Sequence, residues 1–186
     1  GILSQTGGSL GIADFTLTGP GSTWSAGTWS STAPSTATIT RSATLAIATG
    51  NSHDLDYRAI TNLGTVNWNV GYVRGGHGAA FTNAAGATFN DNVTSGYTFH
   101  NPFGGTFRFV NQGTYNRNAT GHTSYFDVPF DNAGTVNILA GDLQFRAGGT
   151  LSSTGTIAAA SGTNLTFTSG YTVTNGASLT GAGTFI

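Results

Sequence analysis

The chain lacks lysine, glutamate, methionine and cysteine, and only 7% of its 186 residues are charged. A typical soluble domain contains about 25% charged residues. Lysine, glutamate and methionine are among the strongest helix formers, so their absence argues against an α-helical fold. The absence of cysteine excludes a disulfide framework, a thiolate metal site and a cysteine nucleophile.

Charge of either sign is too sparse to indicate a charged partner. Six arginines stand against seven aspartates, and the formal net charge is −1. We therefore expect no nucleic-acid partner, and the lack of a long apolar run predicts no membrane span. No signal peptide is visible at Gly1, so we interpret the chain as a mature or excised segment of an extracellular protein.

Glycine and aromatic rings are abundant. The chain contains 29 glycines and 12 phenylalanines, and 38% of its residues are hydrophobic. Disordered chains combine low hydrophobicity with high net charge, so this composition indicates a packed core. Phe, Val and Thr favour strands, and Gly and Asn are expected to supply corners of positive φ.

A short repeat organises the chain. The segment Asn62–Asn67, Asn-Leu-Gly-Thr-Val-Asn, matches Asn111–Asn116 and Asn132–Asn137. Anchors at positions 43, 64, 86, 113, 134 and 155 are almost evenly spaced, except for one longer step between positions 86 and 113. That step predicts an insertion of about five residues in one turn of the repeat. Apolar residues flank each anchor with the alternation typical of short strands.

Such a repeat predicts an all-β fold, a right-handed parallel β-helix (β-solenoid) of about eight coils with a period of about 21 residues. Residues 39–186 are expected to form the repeat body and residues 1–38 irregular or capping coils, within a single domain. An antiparallel β-sandwich is the alternative fold. Asparagines at equivalent positions are expected to hydrogen-bond along the stack in two ladders: Asn62, Asn83, Asn111 and Asn132, and Asn67, Asn90, Asn116 and Asn137.

The pattern F-x-N-x-G-T-V-N followed by G-x-L-x-F, best seen in Phe130–Phe145, resembles the repeats of secreted bacterial surface proteins. These are autotransporter passengers and filamentous-haemagglutinin-like adhesins, and the similarity covers residues 39–186. The resemblance implies a right-handed parallel β-helix, secretion and a role at the cell surface or in a matrix. It implies no catalytic residues, because the family has none in common.

Charged and ring-bearing residues are concentrated in the middle of the chain, and none after Arg146 is charged. Aromatic rings with Arg, His and Asp are typical of surfaces that bind carbohydrate, so we predict a carbohydrate- or protein-binding surface. Its candidate residues are Tyr57, Arg58, Trp68, Tyr72, Arg74, His77, Tyr97, His100, Arg117, His122, Tyr125 and Asp127.

A metal site, a polysaccharide-degrading enzyme and an ice-binding surface are three further possibilities. The four histidines, at positions 53, 77, 100 and 122, recur at intervals close to one coil, but their differing offsets from the anchors disfavour a metal ladder. We therefore predict no metal site and no cofactor. A polysaccharide hydrolase or lyase would need two carboxylates, from Asp54, Asp56, Asp91 and Asp127. Ice binding would need Thr-x-Thr pairs on successive coils, and these do not recur in the central repeats.

The two ends of the chain are apolar and uncharged. Isolated solenoids cap their open ends, but Ile2, Leu3, Phe185 and Ile186 offer no charged cap. We interpret these residues as surfaces for head-to-tail assembly with further copies of the chain. The sequence thus predicts a self-assembling extracellular structural protein, with a carbohydrate-binding adhesin segment as the alternative.

Overall fold

The computed structural model describes all 186 residues and consists of β-strands without an α-helix. Every strand pair is parallel, and each strand between the two end coils pairs with strands from the preceding and following coils. The predicted all-β solenoid is therefore confirmed, and the antiparallel sandwich is excluded.

Most strands are short because they lie between two corners of a coil. In chain order they are β1 (Ser4–Gln5), β2 (Ser9–Leu10), β3 (Phe15–Leu17), β4 (Ser22–Trp24), β5 (Gly27–Ile39), β6 (Thr44–Ile47), β7 (Ser52–Asn62), β8 (Thr65–Trp68), β9 (Tyr72–Gly76), β10 (Ala79–Asn83), β11 (Thr88–Asp91), β12 (Thr98–His100), β13 (Phe107–Asn111), β14 (Thr114–Arg117), β15 (Thr123–Asp127), β16 (Phe130–Asn132), β17 (Thr135–Ile138), β18 (Asp142–Phe145), β19 (Gly149–Leu151), β20 (Thr156–Ala159), β21 (Asn164–Phe167), β22 (Tyr171–Val173), β23 (Ser178–Gly181) and β24 (Thr184–Phe185).

Two sheets give each coil three faces. The first face is a sheet of nine strands in the order β1-β4-β6-β8-β11-β14-β17-β20-β23. The second, larger sheet forms the other two faces. Strands β9, β12, β15, β18, β21 and β24 lie on the second face, and β10, β13, β16, β19 and β22 lie on the third. Strands β5 and β7 run around the corner between these two faces and join them.

The coil lengths agree with the repeat in the sequence. Thr114 pairs with Thr135 one regular period later, whereas Thr88 pairs with Thr114 across a longer coil. Compared with the preceding coil, this coil has three extra residues before Phe99 on the second face. It has two more extra residues between His100 and Phe107. The predicted insertion of about five residues is confirmed, and it lies on both sides of the second face.

Residues 1–38 belong to the same sheets as the rest of the chain. Strand β1 pairs with β4, and β4 pairs with β6 of the repeat body. Trp24 and Trp29 are fully buried, with their ring centroids 4.2 Å apart. Strand β5 runs without interruption through the boundary expected between positions 38 and 39.

Aromatic rings stack along the axis to fill the core. Phe109 lies 5.5 Å from Phe81 and 5.0 Å from Phe130, with nearly parallel ring planes. Phe89 and Tyr115 form a parallel pair at 5.4 Å, and Phe89 meets Phe109 edge-on at 5.1 Å. Stacked and edge-to-face contacts both exploit the quadrupole of the ring. The same ring position on successive coils therefore forms a continuous column.

Both predicted asparagine ladders are present. In the inner ladder, Asn62 donates to Asn83, Asn83 to Asn111 and Asn111 to Asn132, over distances of 2.7 to 2.8 Å. These four side chains are no more than 1% exposed. Each inner amide also donates to a backbone carbonyl at the start of a later first-face strand. The inner ladder thus satisfies the polar groups of one corner inside the core.

The outer ladder lies on the solvent side of the first face. Asn90 donates to Asn67, Asn116 to Asn90 and Asn137 to Asn116, over distances of 2.9 to 3.0 Å. An additional ladder, which the repeat pattern did not predict, joins Asn69, Asn92 and Asn118 at the adjacent corner. The first face therefore has rows of amides that bond to one another along the axis.

The prediction that asparagine supplies corners of positive φ is wrong. Apart from glycines, only Tyr57 (φ 55°) and His77 (φ 52°) have positive φ. The asparagines of the inner and outer ladders lie in strands, where extended backbone directs each amide toward a neighbouring coil. Glycine does fill tight corners, as at Gly71 (φ 96°), where a Cβ atom would overlap the carbonyl oxygen of Thr49.

The two ladders allow a matched test of burial. Replacement of the inner Asn111 by alanine leaves one N–H of the Asn83 amide without its acceptor and removes a donor from the carbonyl of Thr135 inside the core. We expect the free energy of unfolding to fall by about 3 kcal/mol. Replacement of the outer Asn116 leaves groups that water can reach, and we expect a loss of less than about 1 kcal/mol. Urea unfolding of both variants measures the difference, and equal losses would contradict the role given to the inner ladder.

Candidate binding face

The second face brings six of the predicted binding residues together. Asp54, Arg74, His100 and Asp127 occupy equivalent positions on four successive coils. Arg146 follows β18 and reaches Asp127, with Nη1 3.4 Å from Oδ1. The column runs along the axis of the solenoid, and successive strands lie about 4.8 Å apart.

Three tyrosines flank this column. Tyr72 and Tyr97 meet edge-on with centroids 5.0 Å apart, and Tyr72 lies 5.8 Å from the ring of His100. Tyr125 lies one coil further along, next to Asp127. We call the group formed by Asp54, Tyr72, Arg74, Tyr97, His100, Tyr125, Asp127 and Arg146 the binding face.

Two glycines leave space for the tyrosine rings. A Cβ atom at Gly50 would lie 2.8 Å from the hydroxyl of Tyr97, and one at Gly96 would lie 3.3 Å from the ring of Tyr125. Gly96 and Tyr97 belong to the corner that carries the three extra residues. The insertion therefore adds an aromatic ring to the binding face that the regular repeat does not supply.

The charges of the binding face are paired with one another. Arg74 donates to both oxygens of Asp54 over 2.6 and 2.7 Å, and this bonding raises the pKa of Arg74. The guanidinium of Arg146 lies 3.5 Å above the ring centroid of Tyr125 while it contacts Asp127. Burial lowers the pKa of His100, so its ring is neutral at neutral pH. The surface combines rings with hydrogen-bonding groups and has little net charge.

The corner beside the binding face carries a second cluster and a cleft. The rings of Tyr57 and His77 stack at 4.7 Å, and Nδ1 of His77 lies 2.6 Å from Asp56. One coil further, a cleft of about 410 Å³ opens at the same corner. It is lined by Asn101, Gly105, Thr106, Phe107, Arg108, Asp127, Val128 and Pro129.

The surface prediction is wrong for three of its residues. Arg58, Trp68 and Arg117 are fully buried and cannot contact a partner on the solenoid surface. Trp68 packs against Phe99 in the core and donates its indole N–H to the carbonyl of Gly71. Arg58 donates to backbone carbonyls, among them those of Thr36 and Ser30.

Arg117 belongs to a buried network that the residue pattern did not predict. Its guanidinium lies 3.3 Å from Asp91, and Asp91 also accepts a 2.6 Å hydrogen bond from the hydroxyl of Tyr115. Burial raises the pKa of Asp91 and, together with the adjacent carboxylate, raises the pKa of Tyr115. Asp91 was a candidate for a catalytic carboxylate, but it lies inside the core. Asp54 and Asp56 lie on the surface and are each paired with a neighbouring basic side chain.

The histidines form no ladder, as the offsets predicted. His53 is buried, His100 lies on the binding face, and His77 lies at the corner beside it. His122 is exposed at the corner between the first and second faces. The end residues Ile2 and Ile186 are each 65% exposed, and Leu3 and Phe185 are half-buried against the end coils.

The buried histidine predicts a pH dependence of stability. Burial lowers the pKa of His53, so the folded chain disfavours its protonation. The stabilising contribution is complete above the unfolded pKa of about 6.5 and is lost as the pH falls through the lower folded pKa. We expect the free energy of unfolding to decrease as the pH falls below about 6.5, with His100 contributing in the same direction.

Denaturant unfolding at a series of pH values measures this effect. The His53→Gln variant should lose the larger part of the pH dependence, because it removes the buried titrating group. The exposed His122→Gln variant serves as the control and should keep it. If the free energy of unfolding of His53→Gln depended on pH as strongly as that of the unsubstituted chain, His53 would not be the source of the effect.

No family model, curated protein or solved structure gives a significant match to this chain. No helix in the structure has the length and apolar character needed to cross a membrane. The internal repeat and the parallel strand pairing identify the chain as a β-solenoid repeat protein.

Proposed function

We propose that this chain is a rigid structural module of an extracellular adhesive protein and that it binds a carbohydrate polymer through the binding face. The observation that carries the proposal is the group of Tyr72, Tyr97 and Tyr125 beside Arg74, His100 and Asp127 on successive coils. Secretion and a surface location rest on the resemblance of the repeat to bacterial surface proteins.

The chemistry of the binding face suits sugars. An aromatic ring offers an apolar face to the C–H side of a pyranose, and the phenol at its edge offers a hydrogen bond. Tyr72 is 37% exposed, so its ring is accessible. The charged groups of the binding face pair with one another. This pairing fixes their positions, and it leaves little net charge to favour an ionic ligand. An open, extended surface fits a polymer better than a small molecule, which would need an enclosing pocket.

The repeat architecture supports the structural part of the proposal. One continuous core of 32 buried hydrophobic residues extends from Leu17 to Leu165. In such solenoids each coil is stabilised by its neighbours, and no hinge separates the two ends. A rod of this kind holds a binding surface at a fixed distance and orientation from its attachment point.

Removal of one ring tests carbohydrate binding. We expect Tyr72→Ala to weaken binding of a polysaccharide identified by glycan array about tenfold, the equivalent of about 1.4 kcal/mol, because a stacking contact is lost. Val173→Ala removes an exposed apolar side chain from the third face and should leave the affinity unchanged. Isothermal titration measures both variants.

Two outcomes would overturn this part of the proposal. One is the absence of any glycan bound by the unsubstituted chain. The other is an equal effect of Tyr72→Ala and Val173→Ala, which would show that the second face is not the binding surface. The far-ultraviolet circular dichroism of each variant confirms that the solenoid is retained.

Head-to-tail stacking into a filament is a second candidate function, and burial at the end coils favours it. No residue after Leu165 is buried. Val173 and Leu179 are 51% and 39% exposed, and Ile186 is 65% exposed. Covering these side chains needs another coil, supplied by continuation of the polypeptide or by a second copy. Strands at the end of a parallel sheet also offer unpaired backbone groups to such a coil.

Electron microscopy over a concentration series tests the filament. If copies stack end to end, the purified chain should form rods that lengthen with concentration. Ile186→Arg should abolish this growth because it places a charge in the contact. Leu139→Arg, at a 57% exposed position on the side of the solenoid, should not affect growth. Monodisperse short rods at every concentration would contradict stacking by this chain.

A further inference from the structure

The first face carries an unbroken column of threonines. Thr44, Thr65, Thr88, Thr114, Thr135 and Thr156 pair in register on six successive coils, and Ser178 continues the column. None of these pairings contains a register shift. The outer asparagine ladder runs parallel to the column, two positions further along each central strand. The result is a regular array of hydroxyl and amide groups.

This array has no charge and no aromatic ring on its outer side. The two charged residues in its strands, Asp91 and Arg117, point inward and are fully buried. Within the threonine column, only Thr44 and the Thr135–Thr156 pair use their hydroxyls in hydrogen bonds inside the protein. The central hydroxyls are therefore available to a ligand, and hydrogen bonds within the ladder hold the neighbouring amides in fixed orientations.

The spacing of the array is set by backbone geometry. Successive rows lie about 4.8 Å apart along the axis, and the threonine and asparagine of one strand lie about 6.6 Å apart. The interval between rows is close to the shorter oxygen–oxygen repeat of hexagonal ice, and the interval within a strand is about a tenth shorter than the longer repeat. A rigid array that fixes water at these intervals loses little entropy when it meets a lattice with the same spacing.

We propose that the first face binds ice. Uncharged hydroxyl and amide groups would hold a layer of water in positions that match the crystal, and the threonine methyl groups would pack between the water molecules. The inference is independent of the carbohydrate-binding proposal, because it concerns a different face and shares no residue with it.

Other occupants fit the array less well. The face measures about 29 by 13 Å, or roughly 400 Å², from strand spacing and length. A stable pair of copies needs about 800 Å² on each partner, so a second copy would be held weakly. A polysaccharide surface would be expected to meet aromatic rings, which the second face has and the first face lacks.

A matched pair of substitutions tests the proposal. Thr114→Arg places a long charged side chain in the middle of the column and should remove most of the thermal hysteresis and of the inhibition of ice recrystallisation. Thr61→Arg makes the same change at a half-buried position on the third face and should retain both activities. Tyr72→Ala should also retain them, which separates this test from that of carbohydrate binding.

Three results would overturn the inference. The first is no effect of the unsubstituted chain on ice growth at any concentration. The second is equal loss of activity in Thr114→Arg and Thr61→Arg. The third is binding of the unsubstituted chain to insoluble cellulose or chitin that Thr114→Arg abolishes, together with equal effects of the two proteins on ice growth. This result would assign the first face to a crystalline polysaccharide. Circular dichroism establishes that each variant is folded before the assay.

Discussion

In-register stacking of coils is the constraint on which the rest of this structure depends. A side chain at a given position meets its counterpart on the next coil at about 4.8 Å. Like charges at that distance repel, whereas identical rings or amides attract. The charged residues that do occur follow this rule: Asp54 stands beside Arg74, and Asp91 beside Arg117, as opposite charges on adjacent coils. A chain with few charges and many aromatic rings and asparagines satisfies this constraint.

Irregularities in the repeat explain the two buried arginines. Arg117 donates to the carbonyls of Val93 and His122, which lie in corner segments outside the strands. Arg58 does the same beside the register shift between Ser30 and Ser35. Asparagine ladders form where the asparagines themselves stay in register from coil to coil, because an amide can both donate to and accept from its copy. A guanidinium, with five donors, bonds to corner carbonyls that no such ladder reaches.

A strict period in the sequence determines register, and features that depend on register alone were therefore predictable. The coils, the insertion and both asparagine ladders follow from the spacing. Whether a polar side chain points inward or outward was harder to predict from the sequence, because a charged side chain is normally expected at the surface. Arg117 stands in register with the inward-facing Ile138, and this alignment was the available signal. The threonine column was also visible in the sequence, because threonine directly follows every anchor except Gly86, which Thr88 follows by two positions. Its strands carry the pattern Thr-x-Asn, which differs from the Thr-x-Thr pattern expected of an ice-binding array.

Insertions give the faces different capacities for recognition. The extra residues lie in the corners on either side of the second face, where they add Tyr97 and leave the cleft beside Asp127. Each coil of that face consequently presents a different group, and a ligand with distinct subsites needs such variation. The strands of the first face keep their register through the same insertion, so threonine recurs without a break. Only a partner that is itself periodic can use every row of such an array at once. One stacking constraint therefore produces a selective face where the repeat varies and a lattice-like face where it does not.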